Sequence, residues 1–330
     1  MKKNFLTALA LMATAGFGFA QGNVSTVSST GSGNAANVTQ TGLTNVADVT
    51  QNGDNNTGNQ NQNGTSNEAY IDQANVGNKA SQTQGGTSNY AQVWQTYYAN
   101  NNTAEQYQSG TENTAYTEAF AGDGNYAYQN QSGDWNFQWS SLGSGNSNRG
   151  FQNQFGTANT QYGFGLGNSN TFDQLQSGES NYNWLWQDGT ANYGIQYQQL
   201  GNVNNYYGEQ HGSSNFSEQF ALGNGNVGNV YQSGNGNYAD QLVGYSKTYN
   251  GTVLQSYEFQ GASDFNNAEI DQVGDGNNGN QSQFGLGSHS AKLDQNGTGN
   301  FSYQQQSGNN NVSTVTQIGS ANTAFVYQTN

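Results

Sequence analysis

The sequence predicts an all-β fold, a β-solenoid of stacked strand-turn-strand arches, and three observations predict it. Asn returns about every 11 residues, at Asn23, Asn34, Asn45, Asn56, Asn67, Asn78 and Asn89, and continues with small slips to Asn300, Asn311 and Asn322. Units two apart agree better than neighbours do. Ala47, Ala69 and Ala91 align, as do Val49, Ile71 and Val93, and Gln51, Gln73 and Gln95, while the alternate set reads Ala36, Gly58 and Ala80 with Gln40, Gln62 and Gln84. The structural repeat is therefore a pair of strands, about 22 residues long. Finally, the chain holds no Pro, the usual device for blocking strand pairing, and no Cys, so packing and hydrogen bonds alone must hold it together.

The first residues stand apart from this plan. Lys2 and Lys3 precede an apolar run from Phe5 to Phe19, and Gly18 and Ala20 are small residues at cleavage spacing before Gln21. Residues 1–20 read as a secretory signal peptide and 21–330 as one repeat domain. The apolar run is short for a membrane span and nothing later approaches one, so the expectation is a secreted chain with no membrane span. Beyond the leader, Lys79, Arg149, Lys247 and Lys292 stand against 21 acidic residues, a net charge of −17, which argues against a nucleic-acid partner.

The unit is clearest from Asn45 to Asn56. If Asn45–Gln51 is a strand, Asn45, Ala47, Val49 and Gln51 share one face and Val46, Asp48 and Thr50 the other. Residues 52–55 have the Asn, Asp and Gly content of a reversal. The same reading gives inward pairs Asn34 and Gln40, Asn56 and Gln62, Asn67 and Gln73, Asn89 and Gln95, Asn311 and Gln317, and Asn322 and Gln328. It gives turn glycines at Gly42, Gly53, Gly64, Gly86, Gly110, Gly308 and Gly319.

Further along, the units opening at Asn113, Asn136 and Asn159 lack the sixth-place Gln in one phase of the double repeat, and those at Asn215 and Asn237 lack it in what reads as the other. A phase flip between them is expected. The patch from Tyr245 to Phe265 loses the spacing and reads as a longer turn or bulge, after which the array resumes at Asn266 with His289 standing in once for Asn. About 14 arches at about 4.8 Å each make a stack about 65 Å long.

One arch cannot fold alone, because ordering its backbone costs more than burying one Val and a few small side chains returns. Stacking aligns identical side chains, so each inward Asn or Gln amide donates to the same residue in one neighbouring arch and accepts from that in the other. Small residues at the second place (Ala47, Gly58, Ala69, Ala80, Ala91, Ala127, Gly150, Ala239, Ala268 and Ala324) let the two sheets approach closely and leave little room for a ligand cavity. Outward positions carry Tyr90, Trp94, Tyr126, Tyr128, Tyr182, Trp184, Trp186, Tyr193, Tyr197 and Tyr231, which suit exposed strands or form an adhesive face.

Enzyme chemistry finds no footing. His211 falls in an expected turn beside Gly212, His289 takes a ladder position, and neither has a partner at catalytic or metal-ligand spacing. Asp54, Asp123, Asp134 and Asp275 fall in turns, where they read as solvated charges that slow association. No catalytic residue, metal site or cofactor is expected. An ice- or surface-binding solenoid calls for a flat Thr-x-Thr face, whereas the outward positions vary among Tyr, Trp, Thr, Asp and Asn.

The pattern Asn-x5-Gln-x-Gly-x-x-Asn-x5-Gln, as in Asn45, Gln51, Gly53, Asn56 and Gln62, resembles the curlin repeat of major curli subunits, the functional amyloid of bacterial biofilms. The resemblance runs over nearly all of 21–330. It implies an extracellular structural subunit with roles in biofilm matrix and adhesion, export through an outer-membrane pore, a nucleator subunit as partner, and homopolymer growth. A nucleator role within the same fibre, or a monomeric surface-binding solenoid, are the alternatives. The array differs from the best-known members in its length and in several 12- or 13-residue units. Head-to-tail growth also follows from the pattern, since the motif runs from Asn23 to Asn322, Ala324, Val326 and Gln328 with no polar cap, and a heterologous contact that cannot close propagates.

Overall fold

The computed structural model describes residues 22–329 apart from 244, 250–253, 260–263 and 286. The expected signal peptide lies outside the described residues. The described residues form two 13-stranded sheets and a separate two-stranded one. Within each large sheet all pairing is parallel, and a strand pairs with the one two further along except where the two-stranded sheet intervenes. Sheet A begins with Val24–Thr30, Val46–Asp54 and Glu68–Val76 and ends with Val312–Ser320. Sheet B begins with Ala35–Leu43 and Thr57–Thr65 and ends with Thr323–Thr329. One strand from each sheet makes a rung, and the 13 rungs form the β-solenoid that the double period predicts.

The register is residue on residue. Ala47 sits on Ala69, Val49 on Ile71 and Gln51 on Gln73, so each inward place becomes a column down the core. A one-residue slip would turn all of these side chains outward, which is why the alternation fixes the register. Asn45, Ala47, Val49 and Gln51 are buried and Thr50 is exposed, as the alternation requires.

Three details differ from the sequence reading. The strand opening after Asn45 runs on to Asp54, past the expected turn at 52–55, because parallel pairing continues through Gly53. Gly53 bends the strand with φ of 134°, and a Cβ there would lie 2.0 Å from the Asn75 carbonyl oxygen of the next rung. In the narrow corners the reversal itself is confined to the residue before the ladder Asn, as at Asn55 with φ of 58°.

The rungs number 13 rather than about 14. Tyr245–Tyr249 and Leu254–Phe259 form an antiparallel hairpin belonging to neither large sheet, so Val227–Asn235 pairs directly with Asn267–Val273. The expected phase flip is a change in which sheet lacks the sixth-place Gln. The strands after Asn113, Asn136 and Asn159 lie in sheet A and those after Asn215 and Asn237 in sheet B, and each sheet keeps its identity from end to end. The gap in the Gln column passes from one sheet to the other. Lastly, His211 lies within the strand Asn205–Ser213 and not in a turn.

The core changes where Gln is missing. Ala127, Leu142, Phe172 and Leu185 form one apolar cluster, and Tyr206, Ala221 and Val243 another. Phe172 occupies a second place that holds a small residue elsewhere in sheet B, and glycines make its space: a Cβ on Gly150 or Gly163 would lie 2.2 or 2.3 Å from its ring.

Candidate functional site: amide ladders, an aromatic face and two open edges

The inward Gln side chains form ladders of one polarity. Gln51 Nε2 donates to Gln73 Oε1 at 3.1 Å, and Gln73 to Gln95 at 2.9 Å. In sheet B, Gln40 donates to Gln62 at 2.8 Å and Gln62 to Gln84 at 2.9 Å. The far end repeats this, Gln295 to Gln317 at 2.7 Å and Gln306 to Gln328 at 2.8 Å. Each amide also reaches the opposite sheet, as Gln51 Nε2 does to the Ala35 carbonyl at 2.9 Å and Gln62 Nε2 to the Val46 carbonyl at 2.8 Å. One side chain thus joins two rungs and two sheets.

The Asn ladder runs the other way. The Asn67 N–H donates to Asn45 Oδ1 at 3.0 Å, the Asn89 N–H to Asn67 Oδ1 at 3.1 Å, and in sheet B the Asn56 N–H to Asn34 Oδ1 at 2.9 Å. The Asn Nδ2 groups cross to corner glycine carbonyls: Asn34 to Gly53 at 2.7 Å, Asn45 to Gly64, Asn67 to Gly86, Asn89 to Gly110 and Asn300 to Gly319. All seven expected turn glycines, Gly42 and Gly308 included, have positive φ. The conformation that presents each of these five carbonyls is one that L side chains rarely adopt.

The structure adds a third Gln column that the sequence reading missed. Gln60, Gln82, Gln106, Gln129, Gln152 and Gln174 are buried in sheet B, each four residues after its Asn, and the column continues through Gln304. Gln106 donates to Gln129 at 2.8 Å and Gln129 to Gln152 at 2.9 Å. Opposite it, sheet A carries apolar residues at the same place through much of its length, Val49, Ile71 and Val93 among them, so the two sheets differ in the middle of the core. The signal was present as a Gln at the fourth place of alternate units.

The acidic corner residues are structural and not merely solvated. Asp54 Oδ1 accepts the Ser32 N–H at 2.7 Å, Asp134 the Thr111 N–H at 2.9 Å, Asp275 the Asn235 N–H at 2.8 Å and Asp123 the Asn100 N–H at 3.2 Å. They extend the ladder logic to the rim. His211 lies 3.6 Å from Glu209 and 4.0 Å from Asp188. Among the described residues no group of three or more His, Cys, Asp or Glu is placed to hold a metal ion, and no helix is long and apolar enough to cross a membrane.

His289 is buried in the Asn column, where its Nδ1 accepts the Asn311 N–H at 3.3 Å. Burial lowers its pKa, and the carbonyls of Phe284 and Gly308 oppose part of the drop. A depressed imidazole is neutral in the fold and gains its proton more readily when unfolded. Stability is therefore lost as pH falls below the unfolded value of about 6.5 and levels off below the lowered folded value. His289→Asn restores the column, and the denaturation midpoint of the wild-type chain is expected to fall behind that variant increasingly from neutral pH to pH 5. Asp72, Glu118, Asp173 and Asp271 are raised chiefly by burial and so favour the fold as pH falls; both proteins share them, and the difference isolates His289.

The outer face of sheet A is aromatic over its middle rungs. Tyr70 and Tyr90 have ring centroids 5.5 Å apart, Tyr90 and Tyr116 5.5 Å, Trp139 and Tyr162 6.2 Å, and Phe164 and Trp186 5.3 Å. Such pairs contribute about 0.5 to 1.5 kcal/mol each beyond area burial. Burial, with Tyr116, Tyr70 and Glu68 adding to it, pushes the Tyr90 phenol up to about 12.

Among the described residues nothing pairs with the outer edges of the first and last rungs, and the inward columns of these two rungs match. Val24-Ser25-Thr26-Val27 opens sheet A and Val312-Ser313-Thr314-Val315 closes it. In sheet B, Ala36, Val38 and Gln40 at one edge correspond to Ala324, Val326 and Gln328 at the other. The fourth-place Gln column is replaced by Val at both edges. Ladder polarity leaves Gln328 Nε2 and Asn322 Oδ1 on one edge, and Gln40 Oε1 and the Asn34 N–H on the other. The one unlike column is the sheet A sixth place, where Gln317 corresponds to Ser29. None of the four terminal strands carries a charged residue.

No family model matches the chain, and no curated protein matches it.

Proposed function

We propose that the chain is a structural subunit that polymerises head to tail, each copy adding its first rung to the last rung of the copy before, to build an extracellular amyloid-like fibre. The observation that carries this reading is the identity of the inward residues at the two open edges, Ser25 and Val27 with Ser313 and Val315, and Ala36, Val38 and Gln40 with Ala324, Val326 and Gln328. A copy stacked in register continues both ladders: Gln328 Nε2 donates to the incoming Gln40 Oε1, and the incoming Asn34 N–H to Asn322 Oδ1. The valines meet valines.

Val at the fourth place also removes a difficulty. A Gln there would expose a desolvated amide at each edge, and a mismatch in ladder phase would leave it unsatisfied at a cost of about 1 to 3 kcal/mol. Excluding charge from the terminal strands keeps a strongly acidic chain from repelling itself where copies touch. The curlin-like repeat adds the biological setting: secretion through an outer-membrane pore, a nucleator partner, and a role in biofilm matrix and adhesion.

The experiment is to incubate the purified chain from Gln21 onward. The reading expects fibres that diffract at about 4.8 Å along their axis. A chain that folds and stays monomeric at high concentration sinks it.

A further inference from the structure

The aromatic rings of sheet A do more than cover a strand face, because seven of them form an unbroken file of oxidisable side chains. Tyr70 and Tyr90 lie 5.5 Å apart, Tyr90 and Tyr116 5.5 Å, Tyr116 and Trp139 6.2 Å, Trp139 and Tyr162 6.2 Å, Tyr162 and Trp184 6.2 Å, and Trp184 and Tyr207 5.2 Å. Each is on a successive rung, so the file spans six steps, about 29 Å. Phenol and indole rings lose one electron far more readily than phenyl rings or the peptide, and rings this close exchange electrons directly.

The two ends of the file differ from its middle. Tyr70 OH donates to Glu68 Oε2 at 3.1 Å, and Tyr207 OH donates to Glu209 Oε1. A phenol that passes its proton to a carboxylate as its electron leaves becomes a neutral radical and holds the oxidising equivalent more tightly than a ring that must stay charged. Beyond each end the same strand position holds Asp48 or Asn229, so the file stops there. Tyr107, Tyr197 and Tyr238 in sheet B also donate to carboxylates, and what sets the file apart is that such pairs stand on its two terminal rings.

We propose that this face carries an oxidising equivalent along the solenoid axis and lodges it at Tyr70 or Tyr207. A one-electron oxidant, a radical or a high-valent metal complex, takes an electron from any ring of the file and is reduced by one electron. Neighbouring rings refill the vacancy in turn. At Tyr70 the last electron leaves while the phenol proton moves to the Glu68 carboxylate, giving a tyrosyl radical and a neutral carboxyl; Tyr207 and Glu209 do the same at the other end.

The chain has no Cys, so Asn229→Cys gives one attachment point for a photo-oxidant, placed beside Tyr207 in register. After illumination with a nitroso spin trap, peptide mapping is expected to find adduct at Tyr207 and also at Tyr70, far along the axis. Trp139 is the one Trp or Tyr on its strand, Phe137–Gly143. Adding Trp139→Phe keeps a ring in place yet is expected to cut the Tyr70 adduct at least tenfold and leave the Tyr207 adduct unchanged. Glu68→Gln, in the chain with Trp139 intact, is expected to lower the Tyr70 adduct alone. An isotopically heavy chain without the cysteine, mixed in, reports transfer between copies. Adduct at Tyr97 and Tyr98, which are 70% and 83% exposed, in preference to Tyr70 means oxidation follows accessibility and overturns the proposal. So does a Tyr70 adduct that survives Trp139→Phe, or one found equally on the heavy chain.

Discussion

Val326→Glu and Val38→Lys are each expected to stop fibre elongation when present alone, and to restore it when the two variants are mixed. In a head-to-tail junction Val326 meets Val38 of the next copy, and a lone carboxylate or ammonium in that contact is desolvated without a partner. The penalty is several kcal/mol even after relaxation. Since about 1.4 kcal/mol is a factor of ten, elongation by either variant is expected to fall at least about 100-fold. Each variant keeps one wild-type edge. The Lys-bearing edge of one faces the Glu-bearing edge of the other, and the two remaining valine edges face each other, so a mixed fibre alternates strictly. Seeded growth followed by light scattering checks all three cases. Both substitutions lie in the outermost rungs, so circular dichroism of the unassembled chains is expected to remain that of the wild type.

Gln129→Leu is expected to be the most damaging single change to the rungs themselves. Gln129 Oε1 accepts from Gln106 Nε2 at 2.8 Å and from Thr117 Oγ1 at 2.9 Å, while its Nε2 donates to the Tyr116 carbonyl at 2.8 Å and to Gln152 Oε1 at 2.9 Å. Leucine keeps roughly the volume and removes all four bonds. With each buried group left unsatisfied costing about 1 to 3 kcal/mol, a loss of about 2 to 9 kcal/mol follows from two or three such groups. Asn130→Ser, one residue along and facing outward, is expected to stay within about 0.5 kcal/mol. Denaturant midpoints of the two variants measure the contrast, and an equal loss at both positions contradicts the assignment of the strand faces.

The sequence exposes most of this arrangement because parallel in-register stacking is a translation, and translation leaves a period. Asn45, Gln51 and Gly53 recur because each touches its own counterpart in the next rung, so the geometry is written directly as spacing. Features that depend on contacts across the core are less legible. Phe172 requires glycine at 150 and 163, one in its own sheet and one opposite, and neither glycine stands out until it is known which strands are neighbours. The fourth-place column from Gln60 onward was readable by comparing alternate units at that place. The passage of the sixth-place gap from one sheet to the other was legible by counting alternate units, because the sheets keep their order through the one- or two-residue slips. The hairpin around Tyr245–Phe259 has no periodic signature at all, since antiparallel pairing between two adjacent segments leaves no translation to detect.

The junction between copies is tested most directly by crosslinking. Thr26 and Thr314 both point outward at corresponding places of the two edge strands, and the chain offers no competing thiol. If one copy's last rung carries the next copy's first rung in register, their Cα atoms lie about 4.8 Å apart, within the range that a disulfide spans. Mixing Thr26→Cys chains with Thr314→Cys chains, assembling them and oxidising is predicted to yield covalent dimers in high proportion, while either variant alone yields none. Dimers from a single variant, or none from the mixture in fully formed fibres, would show that copies meet by some other surface.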